Sequence, residues 1–132
     1  MPVHFWCVVA AWAVVYSSKL PVAVAMQRAG GYDNHHPRAQ QAALEGFGAR
    51  AVAAHLNGFE TFAPFAAAAR AARLLGAPAG RIDALALVFV ASRLAYVGCY
   101  LADFASLRSA VWMVGFAATL GLEPEAATRA AL

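Results

Sequence analysis

Arg81-Ile-Asp-Ala-Leu-Ala-Leu-Val-Phe-Val-Ala-Ser-Arg-Leu-Ala-Tyr-Val-Gly-Cys-Tyr-Leu-Ala102 decides the fold. Its first half is a nearly unbroken apolar run behind Asp83, an acidic residue suited to the positive end of a helix dipole. In its second half Arg93, Tyr96 and Tyr100 recur at i, i+3 and i+7, the spacing that returns to one helical face. The stretch therefore predicts a transmembrane helix with a guanidinium at membrane depth. Phe5 to Met26 predicts another. At about 1.5 Å rise per residue it crosses a hydrocarbon core of about 30 Å.

Composition agrees. Of 132 residues, 62% are hydrophobic and 13% charged, and the mean hydropathy is +0.59. A soluble domain carries about 25% charged residues. A chain this short, folded in water, would leave large apolar patches exposed, and a bilayer removes that difficulty. The net charge is +3 and the pI about 9.2, but the Lys and Arg residues are scattered. No basic run with interleaved aromatics points to nucleic acid, and arginines beside anionic headgroups account for the excess.

Working outward, Ala42 to Leu75 reads as an Ala-rich helix closed by Gly76-Ala77-Pro78-Ala79-Gly80, with Arg70 and Arg73 suited to its carbonyl end. Ser106 to Leu122 reads as a further helix, stopped by Gly121 and Pro124, with Glu123 to Leu132 as a solvated tail. The sequence thus predicts one domain over residues 1–132, an all-α integral membrane four-helix bundle with helices at about 5–26, 42–75, 81–102 and 106–122. Gln27 to Gln41 is the longest loop, marked by Gly30-Gly31 and Asn34 to Pro37. Pro21 is tolerable in the first helix if Ser17 or Ser18 bonds freed carbonyls, and Lys19 must face a partner helix or snorkel. No Lys or Arg precedes Phe5, so this helix reads as retained rather than as a cleaved signal. Abundant alanine permits close helix packing in lipid, although biased composition would give the same pattern. The arginines fall on both sides of the bilayer, so the positive-inside rule does not fix orientation.

Cys7 and Cys99 lie in apolar stretches without zinc or redox spacing and read as free thiols. His35 and His36 are adjacent on a loop with no further ligand, and no metal site is expected.

The polar residues at depth require a physical account. Arg50, Asn57, Glu60 and Pro64 fall on one stripe of the second helix, with His55 pointing the other way. A charge at bilayer depth costs about 2.5–3.5 kcal/mol on insertion scales, so it is paired or lines a wet cavity. Glu60 and Arg93 are the obvious partners. They could form a buried pair that only fixes register or oligomer state. Tyr96 and Tyr100 bring hydroxyls beyond what one ion pair requires. Arginines (Arg93 with Arg50 or Arg108), a carboxylate, an amide and phenols together suit a peptide-like anion with several carboxylates and one ammonium, such as glutathione.

These residues carry a resemblance. Ala54-His55-Leu56-Asn57-Gly58-Phe59-Glu60 with Phe62-Ala63-Pro64-Phe65 resembles the helix-two signature of the MAPEG family, the membrane-associated proteins of eicosanoid and glutathione metabolism. Arg93 to Tyr100 resembles that family's helix-three motif. Arg108-Ser109 is similar to the Arg-Ser of its prostaglandin E synthase branch, and Tyr32 to Arg38 to the first loop of bacterial members. The resemblance implies a homotrimer with glutathione between subunits, contacted by Asn57, Glu60, Arg93, Tyr96 and Tyr100. It further implies that Arg108, with Ser109, stabilises the thiolate, since a nearby cation lowers a thiol pKa. A multi-pass protein of a bacterial inner membrane is the implied setting, with the first loop on the cytoplasmic side. The chain departs from the family pattern at Ala53, where glutathione-binding members carry Arg, and at Thr61, where leukotriene-type members carry Tyr. Arg50, one turn away, is the candidate substitute.

Three functions are then in play. One is a glutathione-dependent transferase or peroxidase acting on hydrophobic electrophiles that arrive from lipid. A second is a non-catalytic lipid-binding or scaffold protein of the same fold, suggested by Ala53 and Thr61. The third is a small multidrug exporter, whose essential carboxylate belongs in the first helix, where this chain has only Lys19.

Overall fold

The computed structural model describes the backbone of residues 1–130 and the side chains of residues 1–123. The chain is helical between its turns, in the order α1 (Val3–Ser17), α2 (Lys19–Arg28), α3 (Pro37–Ala42), α4 (Phe47–Leu74), α5 (Ala79–Leu101) and α6 (Ala105–Ala130). No strand occurs among the described residues.

Three spans are long and apolar enough to cross a membrane: Val3–Arg28, Ala79–Leu101 and Ala105–Glu123. Their outward side chains are overwhelmingly apolar, among them Trp6, Trp12, Leu87, Leu94, Val114 and Leu120, which would be untenable in water. The remaining long helix, α4, has 28 residues, but His55, Asn57, Glu60 and its arginines keep it outside that apolar group.

Several boundaries differ from the sequence expectation, each for a local reason. The first span breaks at Ser18 because Pro21 has no N–H and its ring crowds the carbonyl of the residue four before it. Ser17 and Ser18 hydroxyls turn back to the Ala13 and Val15 carbonyls, both at 2.6 Å. The long loop contains the short helix α3, opened by Pro37 at a position where its missing N–H costs nothing. Gln40 organises that loop, donating to the Gly31 carbonyl at 2.6 Å and accepting the Asp33 N–H at 3.0 Å. The predicted start of the next helix at Ala42 moves to Phe47, behind Gly46 at φ 53°.

The expected stop at Gly121 and Pro124 is not observed, and α6 runs to Ala130. A glycine inside a helix costs about 1 kcal/mol relative to alanine but does not end it. Gly121 instead lets α6 approach Leu85, whose side chain would stand 3.2 Å from an added Cβ. The expected solvated tail, Glu123 to Leu132, is therefore helical as far as it is described.

The core lies between α4, α5 and α6, with α1 packed across α4 and α5. Phe65 and Phe89 stack with ring centroids 3.8 Å apart, surrounded by Ala68, Ala69, Ala72, Ala86 and Ala118. Lipid competes for apolar surface, so this association depends on close packing, and small residues provide it. Gly58 faces Val15 of α1 and Gly115 faces Ser92 of α5. Polar ties lock the ends. His4 Nδ1 lies 2.6 Å from the Asp83 carboxylate, which also accepts the His4 backbone N–H at 2.8 Å. His55 Nδ1 lies 2.9 Å from the Ser18 hydroxyl and 3.1 Å from the Val15 carbonyl, at the break in the first span.

A Cβ at Gly115 would collide with the Ser92 hydroxyl. Gly115→Ala should therefore destabilise the detergent-solubilised protein by about 1–3 kcal/mol, the usual cost of overpacking. Adding Ser92→Ala should restore much of the loss. Thermal unfolding of the two single variants and the double variant reads this out, and equal unfolding temperatures for wild type and Gly115→Ala would contradict the packing described.

Candidate functional site

The two stripes meet. Arg93 is buried at 4% exposure among apolar neighbours, and its Nη2 donates to the Asn57 side-chain oxygen at 2.9 Å. The Asn57 amide nitrogen in turn donates to a Glu60 carboxylate oxygen at 2.9 Å. The sequence expectation of a direct Glu60–Arg93 ion pair is thus corrected: Asn57 stands between them and relays the contact. Glu60, three residues along α4, reaches the exposed edge of that helix, while the shorter Asn57 points at α5.

From Arg93 the polar run continues along α5. Its guanidinium carbon sits 4.1 Å from the centre of the Tyr96 ring. Tyr96 meets Tyr100 edge to face at 5.5 Å, and the Arg108 guanidinium lies 4.4 Å over the Tyr100 ring. Cations over aromatic faces are held by the ring quadrupole, so this stacking orients both arginines without neutralising them. Glu60, Asn57, Arg93, Tyr96, Tyr100 and Arg108 form a continuous line from α4 across α5 to α6.

Clefts flank this line. One, of about 170 Å³, is lined by Asn57, Glu60 and Arg93 together with Thr61, Pro64 and Trp112. The other, of about 300 Å³, is lined by Tyr96, Tyr100, Arg108, Ser109, Trp112 and Met113. Trp112 belongs to both and forms the wall between them. Sequence reasoning missed it. Its signal is the i+4 step from Arg108, which puts the two on one face of α6.

Pro64 has a local consequence. It cannot donate to the backbone carbonyl of Glu60, so α4 is weakened beside the carboxylate. The Thr61 hydroxyl, which lines the smaller cleft, donates to the Asn57 backbone carbonyl at 3.0 Å, so its proton is committed to the helix.

Arg50 lies elsewhere than its stripe suggests. Its Nη1 is 3.8 Å from a carboxylate oxygen of Asp103, and its Nε is buried without a partner. Asp103 occupies the left-handed position (φ 64°) of the turn closing α5, where the Phe104 N–H bonds the Cys99 carbonyl at 2.9 Å. Arg50 therefore marks the loop end of the line, beyond Tyr100. His55 faces away from both clefts, towards Ser18 and Phe59.

The family model described as MAPEG family matches residues 3–123, nearly the whole chain. The chain belongs to the MAPEG family. No curated protein and no solved structure gives a significant match. Membership makes this a membrane-associated protein, in accord with its three apolar spans. In this MAPEG protein the polar line, on α4, α5 and α6, lies wholly within the matched residues.

Removing Asn57 would leave a buried guanidinium without its acceptor. Asn57→Ala should cost about 1.5–3 kcal/mol, the range for hydrogen bonds to charged groups. Glu60→Gln, at an exposed position, should cost markedly less. Denaturant unfolding in mild detergent compares them, and equal losses would count against Asn57 as the joint.

Proposed function

We propose that this MAPEG protein is a glutathione-dependent transferase or peroxidase working within the membrane on hydrophobic electrophiles. The observation that carries the reading is the Glu60–Asn57–Arg93 relay, which opens on the outer edge of α4 amid an otherwise apolar surface. Polar groups facing lipid are costly, and a neighbouring subunit with a polar ligand between would cover them. The proposed assembly is a homotrimer of four-helix subunits, α4 being the fourth span, in a bacterial inner membrane.

The donor set suits glutathione as co-substrate. Glu60 accepts from its ammonium, Arg93 faces a carboxylate, and Asn57 with the phenols of Tyr96 and Tyr100 takes the peptide groups. Ala53 offers no cation, and Arg50, the nearest guanidinium on α4, would have to leave Asp103 to meet the second carboxylate. Arg108 and Ser109 border the larger cleft, where a cation stabilises the thiolate over the thiol. In conjugation the thiol proton leaves to solvent, the thiolate sulfur bonds the electrophilic carbon, and the leaving group departs with the bonding pair. Trp112 and Met113 supply the apolar wall for the electrophile.

A second reading, a lipid-binding or scaffold protein of the same fold, is favoured by Thr61, whose hydroxyl proton is committed to the Asn57 backbone carbonyl and is not donated into the cleft.

Calorimetric titration of detergent-purified protein should give saturable glutathione binding that Arg93→Ala abolishes. Conjugation of chlorodinitrobenzene should fall about 100-fold in kcat with Arg108→Ala, the scale of losing one preorganised charge-stabilising group. Its KM for glutathione should change little. Absence of saturable binding in the wild-type protein would reject the enzyme reading in favour of the scaffold.

A further inference from the structure

A third cleft lies at the opposite end of the molecule, between the start of α1 and the end of α4. It encloses about 230 Å³ and is lined by His4, Phe5 and Val8 from one helix and Arg70, Arg73 and Leu74 from the other. The polar line does not reach it: Arg70 is ten residues beyond Glu60, about 15 Å along the helix axis. We infer that this groove binds one anionic phospholipid, its phosphate on the Arg70 and Arg73 guanidiniums and an acyl chain against Phe5 and Val8.

Charge and shape argue for that occupant. Arg70 and Arg73 are three apart, so both project from one face of the last turns of α4, and both are exposed. Neither is within ion-pair distance of a carboxylate among the described residues. The nearby carboxylate of Asp83 is already held by His4. Two guanidiniums with no ion pair among the described residues, at the end of a membrane-length helix, lie at headgroup depth, where phosphate is the abundant partner. The floor below them is apolar, and Phe5 and Val8, one turn apart on α1, continue it along the helix into the depth of the bilayer. A free phosphate would satisfy the arginines and leave that floor exposed. A neutral lipid would cover the floor and leave the arginines unmatched. An anionic phospholipid satisfies both.

The test is thermal unfolding of the full chain in neutral detergent with phosphatidylglycerol, phosphatidylcholine or inorganic phosphate. Phosphatidylglycerol should raise the unfolding temperature saturably, by about 5 °C, as expected for a ligand bound only by the folded state. The other two should not. Arg70→Gln with Arg73→Gln should remove most of the shift, whereas Arg81→Gln, at the same end but outside the groove, should retain it. An undiminished shift in the double variant, an equal loss in Arg81→Gln, or an equal shift from inorganic phosphate would each overturn the proposal. Should the double variant fail to fold, native mass spectrometry of the wild-type protein decides: retention of phosphatidylglycerol over phosphatidylcholine supports the site, and equal retention overturns it. The glutathione titration is independent of this result, so either reading can fail alone.

Discussion

A guanidinium inside an apolar helix packing is the constraint around which the rest is arranged. Arg93 is costly at that depth unless a partner accepts its hydrogen bonds, and Asn57 of α4 is the partner. The bond fixes the rotation of α4 about its own axis, because Asn57 must face α5. Once that face is set, Phe65 falls two turns further along the same helix and stacks on Phe89. The alanines that follow it line the remaining contact. Glu60 is placed by the same rotation at the outer edge, where it accepts from the Asn57 amide. Register, core and candidate site thus follow from one hydrogen bond.

The interruptions in the helices serve the same geometry. At the break, the Val15 carbonyl meets both the Ser18 hydroxyl and His55 Nδ1, so the first span is fastened to the turn of α4 preceding Asn57. Gly58, beside Asn57 in sequence, faces Val15, which allows α1 to lie close behind the site. Pro64 weakens α4 on the far side of Glu60. The polar segment of α4 is consequently bounded by one fastened contact and one loosened turn. In lipid, where apolar surface alone does not drive helices together, such directional contacts carry more of the specificity.

Much of this was legible from residue spacing. The Arg93, Tyr96 and Tyr100 stripe follows from helical period, and the apolar spans from hydropathy. What was not legible depended on distances between elements remote in sequence. The interposition of Asn57 between Glu60 and Arg93 turns on side-chain length and helix rotation, which spacing does not specify. Arg50 meets Asp103 because α5 ends beside the start of α4, and the pairing of His4 with Asp83 arises at the opposite end for the same topological reason. Gly121 and Pro124 read as a stop by local propensity, but propensity is a weak prior where packing against Leu85 rewards continuing the helix. For Trp112 the one signal is its i+4 step from Arg108, and an aromatic in an apolar helix stands out only once its neighbours are known.

The central claim is that Arg93 and Asn57 act as one unit joining α4 to α5. A double-mutant cycle in mild detergent, with Asn57→Leu, Arg93→Leu and the combination, tests it most directly. Each single change leaves a buried polar partner unsatisfied, whereas the combination removes both partners. The account predicts that the double variant is more stable than the sum of the single losses, by about 1.5–3 kcal/mol. Additive losses would mean that the two side chains do not depend on each other, and would contradict it.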